Sequence, residues 1–127
     1  MLNLESVAES IALHRAILQA KFAELEPFDS AIPYSKPLAD IAKRNLDSII
    51  EVLSEQGEEL EAKLWSESRN LDSDWNGFSL IKTRIQLTSS WPSYSEAEKI
   101  KLIEVLCSPF VPSQQQLNEL LLVSSEA

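Results

Sequence analysis

"FSLIKTRIQLTSS", residues 78–90, is the stretch on which the fold class turns. As a strand it would set Ile81, Thr83, Ile85 and Leu87 on one side and Lys82, Arg84, Gln86 and Thr88 on the other, the alternation of a half-buried sheet face. As a helix it would gather Leu80, Ile81, Arg84, Ile85 and Thr88 on one face. A strand must find a neighbour for its backbone N–H and C=O groups, and an isolated one is not stable. The chain offers no second strand of comparable quality. Helix is therefore expected here, and an all-α protein with it.

Working outward, the six prolines fall at residues 27, 33, 37, 92, 109 and 112 and leave long proline-free stretches between them. Such punctuation reads as helices joined by loops. Between residues 4 and 26, Leu4, Val7, Ile11, Leu18, Phe22 and Leu25 recur at helical steps, widened by Leu13 and Ile17. Ser35 stands where an N-cap belongs, with Pro37 in the first turn and Leu38, Ile41, Ala42, Leu46, Ile49, Ile50 and Leu53 along one broad face. Gly57 could end this second helix as a left-handed cap. Leu60 and Leu64 keep the spacing as far as about residue 70, and an interior glycine costs only about 1 kcal/mol. A continuous or kinked helix is narrowly favoured. Ser95 with Glu98, and Ser113 with Gln116, have capping-box spacing. They announce two more helices, one carrying Ala97, Ile100, Ile103 and Cys107, the other Leu117, Leu120 and Leu121.

The expected architecture is a single domain over residues 1–127, a bundle of five or six helices. An antiparallel pair from residues 4–26 and 36 to about 56 leads it. The 127 residues are 44% hydrophobic and 24% charged, the balance of an ordinary globule. With two glycines in all, glycine-rich phosphate loops have little to be built from. One cysteine and one histidine exclude an intramolecular disulfide and the usual zinc cage. No basic start followed by an apolar run, and no stretch near the length of a membrane span, is present. A cytoplasmic protein without a membrane segment is expected.

The formal net charge is −9, which repels a nucleic-acid backbone. Most of it lies between residues 45 and 74, where nine acids face only Lys63 and Arg69. Asp47, Glu51, Glu55 and Glu59 recur every four residues, so a continuous helix would stack them in one ridge opposite Leu46, Ile49 and Leu53. Each like-charged pair costs a few tenths of a kcal/mol. A basic partner would relieve that cost, and an inhibitor imitating the charge of DNA is one version of the scheme. A solvated helix face that keeps the chain soluble is the plainer alternative.

"DSDWNG", residues 72–77, resembles the opening half of an EF-hand calcium loop. Asp72, Asp74 and Asn76 take the first, third and fifth places and Gly77 the sixth. The twelfth place, which needs a bidentate acid, is Thr83. Two acids and an amide would hold calcium only near the weak limit of about 10⁻³ M, and the same residues are ordinary turn chemistry. Trp75 and Trp91 fall in expected loops, where large aromatic side chains either anchor a partner or fasten a loop over the core. His14 shares the first helix's apolar stripe and Cys107 that of Ile100 and Ile103, which suits packed rather than reactive side chains.

No motif associates a nucleophile, a base and an orienting group. The expected function is a non-enzymatic acidic helical module that binds another protein, as a regulator or inhibitor or as a homodimer. Asp47, Glu51, Glu55, Glu59 and Trp75 are its contact residues. No cofactor, nucleic acid or membrane is expected. The alternatives are a weak divalent-ion binder using Asp72, Asp74 and Asn76, and an enzyme whose carboxylates converge only in space.

Overall fold

The structure, a computed structural model, describes residues 6–23 and 31–124. Among these residues the chain forms six α-helices: α1 (Val7–Phe22), α2 (Lys36–Glu55), α3 (Glu59–Glu67), α4 (Asn76–Gln86), α5 (Glu96–Cys107) and α6 (Gln114–Leu121). Short 3₁₀ turns at Ile32–Tyr34 and Trp91–Ser93 precede α2 and α5. Among the described residues there is no strand, only an isolated bridge between Asn70 and Val111. The protein is an all-α helical bundle, and no helix among the described residues is long and apolar enough to cross a membrane.

Local chemistry sets most helix starts. Ser6 accepts the N–H of Glu9 and Ser35 that of Leu38. Ser95 with Glu98 and Ser113 with Gln116 close full capping boxes, satisfying amides that the first helical turn leaves without partners. The stretch that decided the fold class is helical as far as Gln86, with residues 87–90 outside the helix, and α4 buries Leu80, Ile81, Arg84 and Ile85. Leu87, which a strand would have buried, is 49% exposed.

Two clusters form the interior. Ile81, Ile85, Trp91, Ile103, Leu106 and Leu120 centre the larger one, built by α4, α5 and α6. Ile49, Leu53 and Ala62 form the smaller, with Val7, Ile11 and Trp65 packed against it. There the opening turns of α1 meet α2 and α3, and Asn45 Nδ2 donates to the Ser10 carbonyl at 2.8 Å.

Two expectations are corrected. In α1 the most buried residues are Ser10, His14, Ile17 and Lys21, whereas Val7, Ile11, Leu18 and Phe22 are half-buried. Leu4 and Leu25 lie outside the described residues. The helix is turned so that polar groups with specific partners occupy its inner line, and the apolar stripe flanks them. The second correction concerns Gly57. It has φ of 80°, and the Glu58 N–H reaches the Leu53 carbonyl at 2.9 Å while the Gly57 N–H reaches Ser54 at 3.1 Å. This is a Schellman end, so α2 does not continue into 57–70. Leu60 and Leu64, whose burial would have offset an interior glycine, are 73% and 57% exposed.

Candidate functional site

The turn at Gly57 lays α3 back beside α2 and opens a groove between them. Asp47, Ile50, Glu51, Ser54 and Glu55 of α2 form one wall, and Ser66 and Arg69 the other. Asp47, Glu51 and Glu55 are exposed and one helical turn apart. Arg69 Nη2 pairs with Asp47 Oδ1. The backbone holds Arg69 in place: its carbonyl accepts the Val111 N–H at 2.7 Å, and the Val111 carbonyl accepts that of Leu71 at 3.1 Å. The groove thus carries three carboxylates against one guanidinium.

Glu59 does not belong to this ridge. The reversal at Gly57 stops the four-residue stacking at Glu55, and Glu59 opens α3 instead. There its charge, with that of Glu61, lies in the first turn, where the helix dipole favours an anion. None of Ile50, Ser54, Ser66 and Arg69 was read from sequence as a site residue. Nothing at the spacing of Arg69 and Asp47, 22 residues apart, signals their meeting.

Trp75 lies elsewhere. Its ring meets Phe22 at 4.9 Å and Phe110 at 5.1 Å between centroids, and covers Gly77, where a Cβ would collide with it. It is half-buried and fastens the start of α4 to the end of α1. In the neighbouring loop Asp72 Oδ1 accepts the Asp74 N–H at 2.9 Å, the Asp72 carbonyl accepts the Trp75 N–H at 3.2 Å, and Asn76 is the first residue of α4. Gln116 Nε2 donates to the Leu71 carbonyl and to Ser73 Oγ, tying α6 to this loop. Among the described residues no group of three or more His, Cys, Asp or Glu is placed to hold a metal ion.

A second concentration of charge is internal. Lys21 is wholly buried, and its Nζ donates to the Val105 and Ser108 carbonyls at 2.7 and 2.5 Å. An ammonium therefore caps the carbonyl end of α5, where the helix dipole is negative. Ser108 Oγ donates onward to the Ala39 carbonyl at 2.6 Å, so α1, α2 and α5 meet at one node. Burial lowers the Lys21 pKa from 10.5 to about 8, with Cys107 opposing and Arg84 assisting the shift. Burial also pushes the Cys107 thiol up to about 12. His14, buried against the Trp65 ring at 5.2 Å, has its pKa lowered by burial first and by Arg15 second. Neither His14 nor Cys107 lines the groove.

The Lys21 shift makes stability depend on pH. Above about 8 the folded chain releases this proton while the unfolded chain keeps it up to 10.5, so the unfolded state binds more protons and stability rises with pH. Cys107 acts oppositely, because the unfolded thiol ionises from 9.0 and the folded one only near 12. The unfolding free energy of the protein relative to Lys21→Met should therefore climb from pH 8 to 10.5, by at most about 1.4 kcal/mol per pH unit. Urea unfolding across that range checks it, and a flat difference would contradict the lowered pKa of Lys21.

Comparison with protein-family models, with curated proteins and with solved structures finds no match to this chain.

Proposed function

We propose that this protein is a non-enzymatic acidic helical module that binds a basic segment of another protein in the groove between α2 and α3, as a regulator or inhibitor of that partner. One observation carries the proposal: Asp47, Glu51 and Glu55 stand exposed along one groove wall, with Arg69 the single cation among the lining residues. Carboxylates stacked at four-residue steps repel one another, and a lysine- or arginine-rich segment would relieve that repulsion while Ile50 gives it an apolar contact. The overall charge of −9 favours such a partner and disfavours nucleic acid. A reducing cytoplasm suits a chain whose one thiol is buried.

The test uses a partner captured from the native host and then purified. Reversal of Glu51 and Glu55 to lysine should cut the association rate about tenfold at low salt and flatten its salt dependence, since exposed charges act mainly by steering. Both side chains are exposed, so the circular dichroism spectrum should not change. Equal association rates for parent and variant throughout the salt series would place the binding face elsewhere.

A further inference from the structure

α3 carries apolar side chains on two opposite sides. Ala62 is buried in the smaller core cluster and Trp65 packs half-buried against it, which is all that a helix covering that cluster requires. Leu60 and Leu64 lie on the other side and are 73% and 57% exposed. Four residues apart, they are neighbours on one helix face, and Glu67 continues their line three residues further on. Glu67 also stands against the helix dipole. Glu59 and Glu61 occupy the first turn, whereas Glu67 closes a helix whose last turn holds no basic residue, and an anion is unfavourable there. The ion pairs among the described residues join Lys36 to Asp40, Arg69 to Asp47 and Lys82 to Glu119, so none of them draws on the acids of α3. Glu58, Glu59, Glu61 and Glu67 are all exposed, with Lys63 the one cation among them.

We propose that the outer face of α3 docks an amphipathic basic helix of another protein, whose apolar residues cover Leu60 and Leu64 and whose lysines or arginines meet Glu67 and Glu61. Charge selects this occupant. A second copy of the chain would bring the same excess of carboxylates to the contact, and an anionic lipid surface or a nucleic acid would be repelled as well. Size agrees. Two leucines fall far short of the roughly 800 Å² that each partner buries in a standard interface, whereas a single helix docks through a few anchors at helical spacing. Ser66, the α3 residue that lines the groove with α2, lies about 120° around the helix from Leu60. The face is therefore separate from that groove and does not rest on its reading.

The probe is a fluorescein-labelled peptide of about 18 residues, long enough to form a helix, made of leucine and lysine with the leucines at helical spacing. Fluorescence anisotropy with the full chain, at about 150 mM salt, measures its binding. Leu60→Gln together with Leu64→Gln should weaken binding about tenfold or more, because the leucines lose the apolar cover they gain in the complex. Glu67→Gln should weaken it about two- to threefold and lessen its salt dependence. All three positions are exposed, so the circular dichroism spectrum should stay that of the parent. The leucine effect should keep its size in a Glu51→Lys, Glu55→Lys background, which separates failure of this face from failure of the groove. Equal binding by parent and leucine variant would overturn the proposal, as would equal binding of a peptide of the same composition without helical period. A parent dimer in analytical ultracentrifugation that the leucine variant abolishes would assign the face to a second copy instead. Leucine-dependent binding to phosphatidylserine vesicles would assign it to a membrane surface, and either result overturns the proposal.

Discussion

Replacing Trp91 with alanine should lower the unfolding free energy by about 3–5 kcal/mol and the melting temperature by roughly 10 °C or more. The ring is 1% exposed and belongs to the larger core cluster with Ile81, Ile85, Ile103 and Leu120. Tyr94 meets its edge at 6.3 Å, and the Lys99 ammonium lies over its face at 5.0 Å. Its Nε1 donates to the Val123 carbonyl at 2.8 Å, so alanine leaves both a cavity and an acceptor without its donor just beyond α6. Trp91→Phe separates the two effects. It keeps most of the packing and loses the hydrogen bond, and should cost about 1–2 kcal/mol. Urea unfolding followed by circular dichroism measures both. An alanine variant that melts within a degree or two of the parent would mean that this side chain does not close the core.

Trp75→Ala should cost less, about 2–3 kcal/mol, because its ring is half-buried and the full-burial figure for tryptophan must be reduced accordingly. The loss comes from the contacts with Phe22 and Phe110, which also meet each other at 5.8 Å. Edge-to-face pairs of this kind are worth about 0.5–1.5 kcal/mol beyond their area. Trp75→Phe should recover at least half of the lost stability in chemical denaturation. The result bears on function, because a tryptophan in an expected loop reads from sequence as a partner anchor. In the folded chain this ring holds the start of α4 against the end of α1, so weaker binding by Trp75→Ala reflects folding first. Glu51 and Glu55, exposed on α2, are the positions at which the proposed binding is tested without that confusion.

Helix starts were legible because their chemistry closes within a few residues. Ser35 and Leu38, Ser95 and Glu98, Ser113 and Gln116 each complete a bond across three positions, and no distant group is required. The helical nature of 76–86 was legible for a related reason, since the spacing of Leu80, Ile81, Arg84 and Ile85 matches a helix that buries one face. The acidic wall was legible as far as Glu55, being a property of one helix.

What the sequence by itself determined is thus the all-α class, the capped starts of α2, α5 and α6, and the ridge of Asp47, Glu51 and Glu55, all set by interactions within one or two turns. Tertiary structure alone decided where α2 stops. Gly57 permits either a cap or passage, and only the exposure of Leu60 and Leu64 shows that no burial repays a continued helix. It also decided that Arg69 would face Asp47 across 22 residues, that Lys21 would cap α5 from 87 residues away, and that Arg84 would be buried with no acceptor for Nη1 among the described residues. The physical reason is common to all of them. Helical spacing can put a charged side chain on an inner face, but the partner it meets there is chosen by the packing of the whole bundle, and that sum over distant contacts leaves no local mark on the residues concerned.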